Sequence, residues 1–123
     1  MSDENKSGSN KKAYEFAFKL SVQLSIVSSQ MAHIQFLLDN KKILDTELPG
    51  AVKVLNHAVE SIRDLAQIAF DKTKESEFKN VIGKLNDVTN SLNKNDFTTA
   101  FAVFQVNTSP IQILLGMKEK FRQ

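Results

Sequence analysis

The chain has 123 residues, of which 41% are hydrophobic and 24% charged, and its formal net charge is +2 at pH 7. This balance is typical of a single globular domain that is large enough to bury its own core. The sequence has no cysteine, which excludes disulfides, thiolate metal sites and a cysteine nucleophile. No apolar run approaches the roughly 18 residues that a membrane-spanning helix needs, so we expect no membrane span.

The amino-terminal segment MSDENKSGSNKK is polar and lacks the apolar core of a signal peptide. We therefore expect residues 1–12 to form a flexible, disordered tail and residues 13–123 to form one helical-bundle domain. The expected location is cytoplasmic, with the nucleus as the alternative. Lysines are dispersed, and arginine occurs only at Arg63 and Arg122. Because nucleic-acid surfaces usually cluster arginine with stacking aromatics, we do not expect a nucleic acid as partner.

Two patterns overlap in residues 13–39. Alternate residues from Tyr14 to Ile26 are apolar, which is the period of a half-buried strand. A second pattern has the three- and four-residue steps of a helix and consists of Phe16, Leu20, Leu24, Val27, Met31, Ile34 and Leu38. Neither glycine nor proline interrupts this stretch, and no second alternating segment offers a strand partner. We predict a helix and keep a strand over residues 14–26 as the alternative.

A helical stripe follows the turn at residues 39–42. Its members are Leu48, Val52, Leu55, Val59, Ile62, Ala66 and Ala69. We predict that Asp45 and Thr46 open this helix, that Pro49 lies in its first turn, and that it ends near Asp71.

The rest of the chain predicts three further helices. The first has Thr73 as its cap and a stripe made of Phe78, Val81, Leu85, Val88 and Leu92. A short helix begins at Phe97, and a last one begins with Ser109 as cap, three residues before Gln112, and Pro110 at its first position. The predicted fold is therefore all-α, an antiparallel bundle of four to five helices.

Candidate chemical sites are few. His57, Glu60 and Asp64 share one helix face and would suit a transition metal, but their order reverses the Glu-x-x-His arrangement of helical di-metal sites. His33 is a candidate phospho-acceptor, although the Lys-Gly pair of phosphotransfer bundles does not follow it. No nucleophile elbow or phosphate-binding glycine loop occurs. We predict no enzyme activity, catalytic residue, metal or cofactor, and keep a histidine-based signalling bundle as the alternative.

An aromatic cluster in the carboxy-terminal third is apolar on nearly all sides. It would form either a buried short helix or, with one flank exposed, a docking surface. We take it as the candidate partner-binding site, and its members are Phe97, Phe101, Val103, Phe104 and Val106.

Two segments of this region carry a family resemblance. LNKNDFTTAFAVF at residues 92–104 has a turn, an aromatic residue and an alanine three residues later, and LGMKEKF follows at residues 115–121. They resemble the helical domain shared by the steroid receptor RNA activator protein and the carboxy-terminal end of a COPII outer-coat subunit. The resemblance implies a scaffold or coat-associated role, with Phe97 and Ala100 packing a helix hairpin and Gly116 and Lys118 marking the final helix.

These observations together predict a non-catalytic protein–protein interaction module. We expect an adaptor or scaffold subunit that binds another protein, or a second copy of itself, through an apolar surface between helices. Amphipathic stripes are abundant in the sequence, whereas each catalytic arrangement fails on spacing or composition.

Overall fold

The apolar stripes form helices in the computed structural model, which describes residues 3–122 and the side chains of residues 8–122. The described part contains no β-strand, so the all-α prediction is confirmed and residues 14–26 are helical. Its five helices are α1 (Asp3–Asp39), α2 (Leu48–Thr73), α3 (Ser76–Asn93), α4 (Phe97–Ala102) and α5 (Pro110–Lys120).

The alternating pattern in α1 arises because this helix is apolar on two opposite faces. Residues two positions apart lie about 200° apart around a helix. Leu20 and Leu24 therefore point into the core and are fully buried, whereas Phe18, Val22 and Ile26 point outward and are about half exposed. The alternation thus reports a two-sided helix, and not a strand with one buried face.

The helix α1 also includes part of the segment predicted as a tail. Its backbone is helical from Asp3, and residues 8–12 are all partly or fully exposed, so the first buried side chain is that of Ala13. These five residues add nothing to the core. The flexibility of this segment stays a prediction, and residues 1 and 2 lie outside the described residues.

Four of the five helices, α1, α2, α3 and α5, surround one core. Contacts join α1 to α2, α2 to α3, α3 to α5 and α5 back to α1, while α4 packs against α3 and α1. The core contains most members of the predicted stripes together with residues outside them, such as Ala17 and Met117. Its largest fully buried side chains include Phe78, Leu20, Leu24, Met31, Leu85, Leu92, Leu114 and Met117.

Two hydrogen bonds show in which direction α3 runs relative to α2. Asn56 Nδ2 donates to Asn93 Oδ1 at 2.8 Å, and Arg63 donates through a terminal nitrogen to Asn86 Oδ1 at 3.1 Å. Seven residues forward along α2 correspond to seven residues back along α3. This pair of helices is therefore antiparallel, as a two-residue connection requires.

Two predicted helix starts are wrong. The helix α2 begins at Leu48, and neither Asp45 nor Thr46 caps it. Thr73 does not cap α3, because it is the last residue of α2 and its hydroxyl donates to the carbonyl of Ala69 at 2.7 Å. The chain turns at Lys74, which has a left-handed φ of 58° and is the point where α2 ends.

The predicted start of α5 is confirmed. The Ser109 hydroxyl accepts a hydrogen bond from the backbone N–H of Gln112 at 3.2 Å, and Pro110 occupies the first turn. Ser109 is buried, and its hydroxyl satisfies one of the backbone N–H groups that the first turn of a helix leaves without an intrahelical partner.

An ion pair connects the end of α5 to the start of α3. Lys120 Nζ lies 2.9 Å from Glu77 Oε2 and 4.0 Å from Glu75 Oε2. Burial raises the pKa of Glu77. The hydrogen bond and the charge of Lys120 lower this pKa by more than burial raises it, so it lies below its ordinary value. The contact with Glu77 correspondingly raises the pKa of Lys120.

We expect Leu85→Ala to lower the free energy of unfolding by about 2–5 kcal/mol, because it leaves a cavity among packed side chains. Leu85 is fully buried, whereas Leu44, in the loop after α1, is 64% exposed. Leu44→Ala is therefore the matched control and should change stability by less than about 0.5 kcal/mol. Urea unfolding followed by circular dichroism measures both, and equal effects would contradict this core.

We expect Glu77→Gln to lower the free energy of unfolding at pH 7 by less than about 1 kcal/mol, because Lys120 is more than half exposed. Since the folded pKa of Glu77 lies below its ordinary value of 4.5, its contribution is present above that pH and lost as pH falls through the folded pKa. The difference between wild type and variant should therefore shrink in acid. Glu119→Gln, in an exposed pair with Arg122, is the control, and a difference that grew in acid would contradict the assignment.

Candidate functional site

The structure places most of the predicted aromatic cluster in or against the core. Phe97 is 5% exposed and stacks on Phe101 with ring centroids 6.4 Å apart. Phe101, Val103 and Phe104 are half-buried against the same core, and Val106, in the turn after α4, is 48% exposed. This cluster therefore serves mainly to pack α4, and its role in partner binding stays a prediction.

Both histidines are exposed, and they lie on different helices, His33 on α1 and His57 on α2. On α2, Arg63 lies 3.9 Å from both Glu60 and Asp64, so the acids predicted to accompany His57 pair with a cation. His33 lines a groove between α1 and α2. Among the side chains of residues 8–122, no group of three histidine or acidic residues is arranged to hold a metal ion.

The most unusual surface of the molecule is the outward face of α1. We call six residues that lie along it the outer seam: Phe18, Val22, Ser25, Ser29, Ala32 and Phe36. They are separated by steps of 4, 3, 4, 3 and 4 residues, which is the spacing of the a and d positions in coiled coils. All six are exposed, although none is charged.

The surroundings of the outer seam are also apolar. Ile26 on α1 is 56% exposed, Val54 on α2 is 69% exposed and Leu115 on α5 is 42% exposed. At one end the ammonium group of Lys118 lies 4.7 Å from the centroid of the Phe18 ring, a cation–π contact.

No charged side chain interrupts this face of α1. From Leu20 to Leu38 the sequence contains neither aspartate, glutamate, lysine nor arginine, whereas 24% of the whole chain is charged. Solvent-facing helix surfaces are normally charged or polar. A face this long without charge is typical of a surface that another structure covers.

Two open grooves flank the outer seam. One, of about 590 Å³, lies between α1 and α5 and is lined by Val22, Ile26 and Leu115. The other, of about 570 Å³, lies between α1 and α2 and is lined by His33 and Val54. Both grooves include Ser29 and Gln30. The two grooves therefore adjoin at these residues, one facing α5 and the other facing α2.

A larger depression between α3 and α5 has a different character. It measures about 750 Å³ and is lined by polar side chains that include Lys79, Lys84, Asp87 and Asn107. Lys84 Nζ lies 3.4 Å from Thr108 Oγ1. This arrangement is that of an ordinary hydrated surface, where one carboxylate and dispersed ammonium groups lie in open solvent.

Sequence reasoning missed the outer seam, although its signal was present. The alternating apolar residues from Tyr14 to Ile26 were used only to decide between a strand and a helix. Phe18, Val22 and Ile26 could have been recognised as a second stripe once the helix was chosen, because the buried stripe through Leu20 and Leu24 does not include them.

Comparisons with protein-family models, with curated proteins and with solved structures gave no match to this chain. The resemblance to the steroid receptor RNA activator and COPII helical domain therefore stays a prediction. In the structure, Phe97 and Ala100 are buried in α4, and Gly116 and Lys118 lie on α5. Among residues 3–122, no helix combines the length and the apolar character that crossing a membrane requires.

We expect His33 not to accept a phosphoryl group, because the other side chains that line its groove are uncharged and supply no cation for the added negative charge. Incubation with acetyl phosphate followed by mass spectrometry of the intact protein should show no acid-labile adduct. An adduct present in the wild type and absent from His33→Ala would contradict this expectation, and His57→Ala is the control for the other imidazole.

Proposed function

We propose that this chain is a non-catalytic protein-interaction module that binds another polypeptide through the outer seam of α1. The observation that carries the proposal is the conjunction of coiled-coil spacing with exposure and absence of charge between Phe18 and Phe36. Single exposed apolar residues are common on protein surfaces. A row of them, continued by Ile26 and Leu115, is characteristic of an interface.

The seam has the chemistry for helix recognition. Phe18, Val22 and Ile26 are about half exposed, so covering each would contribute about 1 kcal/mol. Ser25, Ser29 and Ala32 are small and allow a second helix to approach the backbone closely. An amphipathic helix that presents apolar residues at three- and four-residue spacing would fit this surface.

The proposed role is that of an adaptor or scaffold subunit. The family resemblance of residues 92–104 and 115–121 supports the same class of function. The aromatic cluster at α4 is a less favourable docking surface, because Phe97 is buried and Val106 is its one strongly exposed member. A cytoplasmic location stays a prediction from the sequence.

We expect Val22→Lys to abolish partner binding, since it places an ammonium group in the middle of the apolar face. Val106→Lys is the matched control, because Val22 and Val106 are 46% and 48% exposed and only the first lies on the outer seam. A photo-crosslinking amino acid at Ser25 in the tagged chain, irradiated in native extract, reports any polypeptide in contact, including a second copy. The result expected is a crosslinked band that Val22→Lys removes and Val106→Lys retains.

Two outcomes would contradict the proposed function. One is the absence of any crosslinked band that untagged protein competes away. The other is a band that survives unchanged in Val22→Lys, which would show that the contact does not depend on the apolar residues of the outer seam.

A further inference from the structure

We propose that the polypeptide that covers the outer seam is a second copy of this chain, with the two α1 helices packed antiparallel across a two-fold axis at the level of Val27. This inference rests on the proposed function, because it takes the outer seam as the interaction surface. Four features of the seam support it: its symmetry, its small centre, its charges and its area.

The positions of the seam residues are symmetric about Val27. Phe18 and Phe36 lie nine positions on either side of Val27, Val22 and Ala32 lie five, and Ser25 and Ser29 lie two. In a two-fold interface, residue i of one copy meets residue j of the other, and j meets i. An antiparallel pair centred on Val27 therefore matches phenylalanine with phenylalanine and serine with serine.

The size of the side chains fits that geometry. The two serines lie at the centre, where the helices would come closest, and the bulky rings lie at the ends, about 27 Å apart along the axis. Ile26, 56% exposed and one residue from the level of the axis, would contact its own copy. Its exposure in the single chain is then explained, because it packs across the axis.

The charges permit this pairing. The stretch of α1 between Leu20 and Leu38 is uncharged, so pairing of these stretches buries no ammonium or carboxylate group of α1, which would be costly. The ammonium group nearest to the seam is that of Lys118, on the Phe18 ring at one end. At the ends, a first group of charged residues in one copy comes near a second group in the other: Lys11, Lys12, Glu15 and Lys19 in the first, and Asp39, Lys41 and Lys42 in the second. Each end then contains five positive and two negative charges, which lie at the exposed rim of the pair, where water and salt screen them.

The area is sufficient for a modest dimer. A strip about 27 Å long and about 20 Å wide, which includes the flanks from α2 and α5, covers roughly 540 Å² per copy. Specific interfaces average about 800 Å² per partner, and smaller ones are weak or transient. We therefore expect a monomer–dimer equilibrium with a dissociation constant in the micromolar range, about 10⁻⁶ to 10⁻⁵ M.

Single cysteine variants test the register, because the natural sequence has no cysteine. Lys19 and His33 are exposed and lie on the same flank of the seam, so Lys19→Cys and His33→Cys leave the six seam residues intact. A short bis-maleimide should crosslink an equimolar mixture of the two variants. Each variant alone should stay uncrosslinked, because identical positions lie about 24 Å apart for Lys19 and about 18 Å apart for His33.

Analytical ultracentrifugation tests the association itself. We expect the wild type and Val106→Lys to dimerise alike and Val22→Lys to weaken dimerisation at least about 100-fold, with the helical content of all three unchanged. Folding of Val22→Lys is checked by its urea midpoint at a concentration where the wild type is monomeric.

Each other outcome overturns the inference. A wild type that is monomeric at millimolar concentration excludes the second copy, while the proposed function stands if the Ser25 photo-crosslinker still captures another polypeptide that Val22→Lys releases. Crosslinking of each single variant with itself, and not of the mixture, indicates parallel helices. A dimer that Val22→Lys leaves intact places the interface elsewhere and removes the support for the outer seam in both proposals.

Discussion

The two-sided character of α1 is the constraint on which the rest of the structure depends. A helix in a four-membered bundle can bury only the face that points toward the common core. Leu20, Leu24 and Met31 occupy that face and are fully buried. Phe18, Val22 and Ile26 occupy the opposite face, which α2 and α5 approach from the sides without covering. The fold therefore covers one half of α1 and leaves the other half exposed.

The short helix α5 shapes this surface. It is anchored at its start by the buried Ser109 cap and at its end by the contact between Lys120 and Glu77 on α3. Between these anchors Leu114 and Met117 are buried, which turns Leu115 and Lys118 toward α1. The position of α5 thus decides how wide the apolar face is.

The sequence allowed the helices and the core to be predicted because burial on one side produces a clear period. The stripe in α3, from Phe78 to Leu92, is buried as expected. The stripe in α2 is buried from Leu55 to Ala69, whereas its first two members, Leu48 and Val52, are half-buried. Helix boundaries were harder, because Thr73 has a side chain that suits a cap as well as the last turn of a helix, where it bonds to Ala69. Only the position of the turn at Lys74 distinguishes the two.

The candidate site could not be predicted in the same way, because periodicity shows that residues share a face and not whether neighbours cover it. Phe97 and Phe18 have equal hydrophobicity, yet the first is 5% exposed and the second 48%. What decides between them is how many helices surround each one. The four-residue step from Phe18 to Val22 is itself a helical spacing. Because buried Leu20 lies between these two residues in the sequence, the combined pattern is an alternation that resembles a strand.

The serines of α1 show how such a face can exist on a protein that also folds alone. A surface of leucines at these positions would be strongly apolar and prone to non-specific association. Serine keeps the face wettable, and its hydroxyl can bond to a carbonyl of its own helix, as buried Ser21 does to the carbonyl of Phe18 at 2.8 Å. Ser25 and Ser29 have the same option when a partner displaces their water. Covering them would then leave no unsatisfied hydroxyl, so the apolar residues on either side determine the affinity.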